Sequence, residues 1–339
     1  MLSRKEIAMR AGVSKTTVTR VLAGDKTVLP VNREKIERIV AESGYTRNVL
    51  AANLAKNKRS TAIAMLVPDM TNYYYMQMFN EMVSCARKYG HTISIYSIST
   101  ETLDQVIDEV VSYRVCGIIN FGLDSISEES LKKVQSADIR IVYPGWPEAE
   151  KYRFVIHYDA AIREAMGLLR EGGCRSICFH FGTKRKLFQD GRIKAFLRYG
   201  REYGFDVSEK DIFFGEYTDR SAVEEGYATA KKLFGDGKRY DAMFCLNDMM
   251  AYGAIRAIKE CGLRVPADVS VVGFDNVLLD QYFTPAISTI GIPLAEEADG
   301  YVRYCAGMGE ESQREVEAVF FNRDSIRKAC APDAGSRGK

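Results

Sequence analysis

No long apolar run occurs anywhere in this sequence of 339 residues. A membrane-spanning helix needs about 18 consecutive apolar residues, and no window approaches that length. The first residues also lack the apolar stretch of an export signal. We therefore expect a cytoplasmic chain that does not enter a membrane, and its length predicts two or three folding units.

Residues that build metal and redox sites are scarce. The chain has three histidines, one tryptophan and eight cysteines, without a Cys-x-x-Cys pair. The closest two cysteines, Cys174 and Cys178, have no second pair or histidine cluster beside them. Because zinc sites need tighter spacing, we expect buried free thiols, no metal and no cofactor.

Motifs of enzymes with a doubly wound fold are missing as well. The sequence contains no phosphate-binding loop, no G-x-G-x-x-G fingerprint and no nucleophile elbow. An enzyme is therefore not expected.

Positive charge is concentrated at the N-terminus. The formal net charge is only +2, but residues 1–60 hold 13 Lys or Arg against 5 Asp or Glu, and the rest of the chain holds 34 against 40. A basic head of net +8 thus precedes a body of net −6. This split indicates a polyanion-binding module joined to a unit with another task.

The head has the pattern of three short helices. We predict them over Ser3 to Ala11, Ser14 to Leu22 and Pro30 to Ser43. Ser3 and Glu6 form an S-x-x-E capping box, Gly12 ends the first helix, Ser14 can cap the second, and Gly44 can end the third in a left-handed conformation. A helix, a turn with glycine and a second helix predict a helix-turn-helix.

The second predicted helix has an apolar face and a polar face. Val18, Val21 and Leu22 share the apolar face and are expected to pack inward. Short polar side chains beside basic ones suit the major groove of DNA. The predicted DNA contacts of this helix and its cap are Ser14, Lys15, Thr16, Thr17 and Arg20.

The head resembles the DNA-binding head of the LacI/GalR family of bacterial transcription regulators. The resemblance rests on E-I-A-M-R-A-G-V-S-K-T-T-V-T-R-V-L and R-E-K-I-E-R-I-V-A-E-S-G-Y, which lie between Lys5 and Tyr45. The next stretch resembles the family's hinge helix, with Asn48, Ala51 and Leu54 at its characteristic spacing.

The resemblance implies that Leu54 wedges into the minor groove at the operator centre. A helix this short is marginal in water, so we expect it to fold only beside its dimer partner on DNA. An ordinary linker is the alternative.

From Thr61 onward, short apolar runs alternate with amphipathic stretches. Predicted strands include Ala62 to Val67, Thr92 to Ser97, Cys116 to Phe121, Ile139 to Tyr143, Ser176 to Phe181, Ala242 to Leu246 and Val269 to Phe274. Predicted helices include Met76 to Tyr89, Leu103 to Tyr113, Ala160 to Arg170, Gly191 to Tyr203, Ala222 to Phe234 and Met249 to Glu260.

This alternation is typical of parallel sheets wrapped by helices. The elements are too many for one small sheet. We therefore predict an α/β body of two parallel-sheet lobes, with chain crossings near Pro144 to Tyr158 and Thr284 to Pro293. Two such lobes create a ligand cleft between them.

The body resembles the same family over essentially its whole length. The clearest stretches are C-L-N-D-M-M-A-Y-G-A from Cys245, G-L-R-V-P-A-D-V-S-V-V-G-F-D-N from Gly262 and Y-F-T-P-A-I-S-T-I from Tyr282. The family's body is related to periplasmic sugar-binding proteins of bacteria, so the resemblance implies a small-molecule sensor.

Candidate effector contacts lie near predicted strand ends. Asp275 follows a strand, and its carboxylate can accept hydrogen bonds from sugar hydroxyls, although a helix cap is the alternative. Arg192 matches the family's effector-binding arginine by the pattern Gly-Arg-x-x-x-Phe, and Asn247 and Asp248 complete a polar rim. The rings that could stack on a pyranose, or else form core, are Tyr73, Tyr74 and Trp146.

Three places depart from the family's pattern. Tyr158-Asp159 stands where an Asp-Asn pair is common, Leu29-Pro30 displaces a usual serine cap, and Ala23 replaces a frequent asparagine. The first departure leaves the effector's identity open. The polar tail after Cys330 has no apolar heptads, so we expect a homodimer rather than a coiled-coil tetramer.

The predicted domains are a helix-turn-helix domain (1–46), a hinge helix and linker (47–60), a two-lobed effector-binding and dimerisation domain (61–330) and a flexible tail (331–339). The predicted function is that of a transcriptional repressor whose affinity for double-stranded operator DNA is changed by a small carbohydrate effector. A purine or nucleoside effector and a protein corepressor are the alternatives. A sugar-transport protein fits less well because of the basic head.

Overall fold

The computed structural model describes residues 2–45, 60–122, 126–144, 154–182, 190–215, 221–237, 240–309 and 314–329. The chain divides into two compact units, Met1–Ser60 and Thr61–Lys339. The predicted hinge residues Asn48, Ala51 and Leu54, the ring of Trp146 and the tail from residue 331 lie outside the described residues.

The first unit contains three helices, α1 (Arg4–Ala11), α2 (Lys15–Leu22) and α3 (Pro30–Ser43). The predicted capping box is confirmed: the Ser3 amide donates to Glu6 Oε2 at 2.6 Å, and the Glu6 amide donates to Ser3 Oγ at 3.3 Å. Gly12 and Gly44 end their helices at φ of 68° and 60°, where a Cβ would add strain. Completely buried side chains from each helix make its core, namely Ile7, Val18 and Ile36.

The second unit alternates strands and helices. Its elements are β1 (Ala62–Val67), α4 (Tyr73–Lys88), β2 (Thr92–Ser97), α5 (Leu103–Ser112), β3 (Gly117–Asn120), α6 (Glu128–Ser136), β4 (Arg140–Val142), β5 (Phe154–His157), α7 (Asp159–Glu171), β6 (Ile177–Phe181), α8 (Gly191–Glu202), β7 (Ile212–Phe214), α9 (Ala222–Gly235), β8 (Ala242–Cys245), α10 (Asp248–Glu260), β9 (Ser270–Phe274), β10 (Ser288–Gly291), α11 (Leu294–Ala306), β11 (Arg314–Glu317) and β12 (Val319–Phe321).

Two sheets form the two lobes. The first lobe has four parallel strands in the order β2-β1-β3-β4, and the second has six in the order β12-β10-β9-β8-β6-β7. Only β12, which is antiparallel to β10, departs from the parallel arrangement of the second sheet. The strand order reverses between β1 and β3, and again between β6 and β8. Ligands of such sheets bind outside the carboxyl ends of the strands at these switch points.

The path between the lobes is more complex than predicted. β10 belongs to the second sheet, so the second crossing lies after Gly291, and α11 packs on α4 and β3 of the first lobe. β11 pairs with β5 in a separate parallel ribbon, and β12 then rejoins the second sheet, which makes a third crossing. The sequence signal for β11 is weak because Arg-Glu-Val-Glu has a single apolar residue.

The start of α4 also differs from the prediction. The helix begins at Tyr73 instead of Met76, because the Asn72 side chain caps it by accepting from the Tyr74 amide at 3.1 Å. This places three tyrosines in the first turn of a helix that follows β1. No helix within the described ranges is long and apolar enough to span a bilayer.

Candidate functional site

The outward face of α2 is polar, as predicted. Lys15 and Thr16 are exposed, while Thr17 is half-buried. Ser14 caps the helix by accepting from the Thr17 amide at 3.1 Å, and the two hydroxyls lie 2.8 Å apart. The Lys15 and Thr16 side chains therefore face solvent at the start of α2.

Arg20 already has partners at the other end of α2. Its Nε lies 2.8 Å from Asp25 Oδ2, and Nη2 donates to the Thr27 hydroxyl. Hydrogen bonds from Thr27 and Arg20 hold the pKa of Asp25 below its ordinary value. Half of the Arg20 side chain remains exposed, so the turn after α2 orients this arginine without burying it.

Arg192 lies at the start of α8, outside the carboxyl end of β6. Asp190 caps this helix and holds the guanidinium through both carboxylate oxygens, with Nε at 3.0 Å and Nη2 at 2.8 Å. Burial acts to lower the pKa of Arg192, but Asp190 raises it above the ordinary value. The pair is therefore a fixed, mutually neutralising ion pair rather than a free positive charge.

Three aromatic rings surround the Arg192 guanidinium. Its central carbon lies 5.7 Å from the ring centroid of Tyr158, 5.4 Å from that of Phe181 and 5.6 Å from that of Phe274. The rings of Tyr158 and Phe274 contact each other edge to face at 5.9 Å. The departure from the family's pattern at Tyr158 thus supplies one wall of the Arg192 site.

Asp275 occupies a strained position at the end of β9. Its φ is 105°, and the following Asn276 is at 55°. Such conformations in residues other than glycine concentrate at functional sites. The 3₁₀ turn Leu278–Gln281 has no side-chain cap, so the structure gives no support to a capping role for Asp275. Burial raises the pKa of Asp275, Arg192 opposes the shift, and Asp280 and Glu297 add to it.

Asn247 and Asp248 have local structural partners. The Asn247 amide oxygen caps α10 by accepting from the Met250 amide at 2.8 Å. Asp248 is completely buried, accepting from the Thr289 hydroxyl at 2.6 Å and from the Val277 amide at 3.1 Å. Asp248 does not form part of an exposed rim, because its oxygens tie the end of β8 to the segments around β9 and β10.

Tyr73 and Tyr74 begin α4 at the boundary between the lobes. Both rings are half-buried and pack against the apolar core of the second lobe, although α4 belongs to the first. The Leu278 amide donates to the side chain of Gln77 at 2.6 Å, which joins α4 to the loop after Asp275. The structure therefore brings the start of α4 close to the Asp275 loop.

Glu297 is a cleft residue that the sequence analysis missed. It lies on α11 with 1% of its surface exposed, and accepts from Tyr301 at 2.6 Å and from Tyr74 at 3.4 Å. Burial raises its pKa to about 7, while these two hydrogen bonds act to lower it. Helical spacing gave a usable signal, because Glu297 shares the apolar face of Leu294, Ala298 and Tyr301.

The cysteines were predicted to be buried free thiols, and no metal site was predicted. The seven cysteines within the described ranges are free thiols, and all but Cys85 and Cys261 are buried. No group of three or more His, Cys, Asp or Glu capable of holding a metal occurs among the described residues.

Comparisons with known proteins agree with this architecture. Residues 4–48 match the family described as bacterial regulatory proteins, lacI family, and residues 166–326 match the periplasmic binding protein-like domain. The HTH-type transcriptional repressor PurR of Vibrio parahaemolyticus is 31% identical over 297 residues, covering 86% of this chain and 87% of the relative. Catabolite control protein A of Priestia megaterium is 28% identical over 295 residues, covering 85% and 87%.

Solved structures share the fold. A Lac repressor dimer bound to operator and the anti-inducer ONPF superimposes with a TM-score of 0.77 at 21% identity, covering 96% of this chain and 98% of that one. A complex of the transcriptional regulator CelR with cellobiose gives 0.66 at 23% identity, covering 96% and 100%.

Proposed function

This chain belongs to the lacI family of bacterial regulatory proteins, and we propose that it represses transcription by binding a pseudo-palindromic operator as a dimer. Family membership makes it a DNA-binding transcription regulator with an effector-binding body. We propose in addition that control is repression, which residues contact the operator bases, and where the effector binds. Since the relatives named above are transcription regulators, we propose no enzymatic role, and we place the protein in the cytoplasm with its DNA.

The observation that carries this proposal is the exposed polar face of α2. A packed core fixes α2 between α1 and α3, so its outward side chains move as a rigid set. We propose that Lys15, Thr16 and Arg20 contact base edges, while Ser14 and Thr17 shape the helix start. A two-fold dimer presents two such helices, which imposes two-fold symmetry on the operator.

We further propose that residues 47–60 form the hinge between the two units. In this proposal Asn48, Ala51 and Leu54 order on DNA, and Leu54 enters the minor groove. An apolar side chain inserted there unstacks a base step and bends the duplex.

We propose that the effector binds between the lobes, beside the Arg192–Asp190 pair and Asp275. Aromatic walls with a few fixed polar groups are typical of small-molecule sites, and ring faces also stack on the apolar face of a sugar. Asn247, Tyr73 and Trp146 are proposed as wall residues, whereas the buried position of Asp248 favours a positioning role. A sugar or sugar derivative is the first candidate, and a purine or nucleoside is the second.

Selection of bound sequences from random duplex DNA tests the proposed operator. We expect the full-length protein to enrich two inverted half-sites around a central step. Enrichment of a single, asymmetric site would contradict the dimeric reading. Thermal-shift screening against sugars, nucleosides and purines tests the effector class, because a ligand of the native state raises its stability.

A further inference from the structure

Two carboxyl groups, the half-buried Asp275 and the buried Glu297, lie at the lobe boundary without an ion-pair partner of their own. Arg192 acts electrostatically on Asp275, but its ion pair is with Asp190, and Arg323 beside the neighbouring Asn276 pairs with Asp280. The partners of Glu297 are two tyrosine hydroxyls. Within the described part of the chain, no Lys or Arg forms an ion pair with Asp275 or Glu297.

The two carboxyl groups come from opposite lobes, and the start of α4 lies close to both. Asp275 ends β9 of the second lobe, and Glu297 lies on α11, which packs on the first. Tyr74 connects them: its hydroxyl donates to Glu297, and its helix meets the Asp275 loop through the Gln77–Leu278 hydrogen bond.

Aromatic rings occupy the space around these carboxyl groups. Tyr74 contacts Phe121 edge to face with centroids 6.3 Å apart, and Phe121 contacts Tyr301, the other partner of Glu297, at 6.1 Å. On the opposite side, the Tyr158 ring lies against Phe274, the residue before Asp275. Ring faces attract cations, and aromatic cages recognise quaternary ammonium ligands.

We infer that the effector carries a protonated amine, which Asp275 and Glu297 bind from opposite lobes when the cleft closes on it. This inference rests on the effector site proposed above and specifies its chemistry. A phosphorylated or carboxylated effector would place a third negative charge beside two carboxyl groups. A cation instead supplies an ion-pair partner for both groups, and its contact with both lobes would couple binding to lobe closure.

An amino sugar and a simple alkylamine share this chemistry. The test therefore uses D-glucosamine, N-acetyl-D-glucosamine, D-glucose, D-glucose 6-phosphate, cyclohexylamine and putrescine, each at millimolar concentration with the full-length protein. We expect at least one free amine to raise the Tm of the protein. Its uncharged counterpart should leave the Tm unchanged. A response to glucosamine alone identifies an amino sugar, and a response to cyclohexylamine or putrescine identifies an alkylamine.

Glu297→Gln tests the assigned residue, and Glu296→Gln is its matched control. Glu296 is the exposed neighbour, so its substitution removes the same charge from the same helix turn. We expect Glu297→Gln to weaken amine binding about 10- to 100-fold, the range for loss of a charged hydrogen bond. Glu296→Gln should bind the amine as the wild type does.

The pH dependence of amine binding gives a second readout. Glu297 faces Tyr74 from α4, Tyr301 from its own helix, and Asp275 and Tyr158 from the second lobe. With the pKa of Glu297 at about 7, its ionised fraction grows between pH 6 and pH 8. The affinity of the alkylamines cyclohexylamine and putrescine, which stay protonated over this interval, should therefore rise about tenfold by titration calorimetry and lose this rise in Glu297→Gln.

The outcomes separate this inference from the broader proposal. If glucose or glucose 6-phosphate raises Tm while no free amine does, the effector cleft stands and the amine is wrong. If no amine in the set binds, the inference is also overturned. If an amine binds equally well to the wild type, Glu297→Gln and Arg192→Ala, the ligand lies elsewhere, and the proposed cleft is wrong as well.

Discussion

Lys15 is an exposed basic side chain on the outward face of α2. We expect Lys15→Ala to lower operator affinity by about 1–3 kcal/mol, the value of a good base contact, with a smaller effect on random DNA. Lys35→Ala, on the exposed side of α3, is the matched control. Fluorescence anisotropy with specific and random duplexes measures both, and equal losses on the two duplexes would assign Lys15 to phosphate contact.

Arg20 differs from Lys15 because the Asp25 carboxylate competes with DNA for its guanidinium group. Its ion pair with Asp25 is exposed, and such pairs contribute little to stability. Asp25→Asn should therefore maintain or raise operator affinity, whereas Arg20→Ala should lower it by about 1–3 kcal/mol. If Asp25→Asn weakens binding as much as Arg20→Ala, the pair orients the arginine and must remain intact on DNA.

Asp275 is the residue on which the effector response should depend most directly. Its substitution removes the charged acceptor at the end of β9, so Asp275→Ala should abolish the change in operator affinity that effector produces. Typical coupling between two sites is about 5- to 150-fold. The measurement is operator affinity with and without the active compound, with exposed Asp324→Ala as control. A normal response in Asp275→Ala would place the effector elsewhere.

At the scale of elements, two glycines allow α9 and α10 to pack closely where they cross. A Cβ at Gly253 would overlap the Val223 carbonyl oxygen, and one at Gly226 would overlap the Met250 backbone. Backbone cannot move aside as a flexible side chain can. The close approach of the two helices therefore requires glycine at both positions.

We expect Gly253→Ala to destabilise the body by about 1–3 kcal/mol through overpacking. Gly235→Ala, at the end of α9, meets no atom within 4 Å and should be neutral or stabilising by up to about 1 kcal/mol. Urea denaturation of the full chain measures both changes. Similar stability of the two variants would show that the helices can separate at low cost.

The proposed hinge can be tested by the bend that it produces in the operator duplex. Leu54→Ala should weaken operator binding and reduce the bend of the duplex, since a wedge stabilises only the bent complex. Effector affinity of the body should be unchanged. Binding affinity and the electrophoretic bend angle measure the two effects, and no change in either would contradict the hinge assignment.

At the scale of the whole molecule, one apolar surface of the body is available to a second copy. Leu278 and Leu279, on the 3₁₀ turn Leu278–Gln281, are 51% and 44% exposed, and Tyr282, which follows the turn, is 75% exposed. Beside them lies a groove of about 420 Å³ with Phe283 among its walls. We assign this surface to the dimer proposed above.

Tyr282→Glu should shift the protein towards monomers, because a charge would be buried in an apolar interface. Met308→Glu, an exposed apolar residue on another part of the body, is the control. Sedimentation equilibrium measures the dissociation constant of each. An unchanged dimer in Tyr282→Glu would place the interface on another surface.

Local order along the chain could be predicted from the sequence because its causes are local. The capping box at Ser3 and the left-handed Gly12 and Gly44 depend on residues within one helical turn. β1 and β2 have the predicted limits, since each is a compact run of strand-forming residues. Placement of Arg192 and Asp275 at strand ends followed from the same pattern and from the family resemblance.

Which side chains line the effector site was decided by contacts between residues far apart in the sequence. Periodicity placed Asn247 and Asp248 together at a strand end, but only the packing of β8, β9 and β10 decides that Asp248 is enclosed. The Tyr74–Glu297 hydrogen bond joins residues 223 positions apart, so no local pattern encodes it. Side-chain partners of this kind are set when the lobes pack together, because burial removes water and leaves each polar group with the neighbours that the fold supplies.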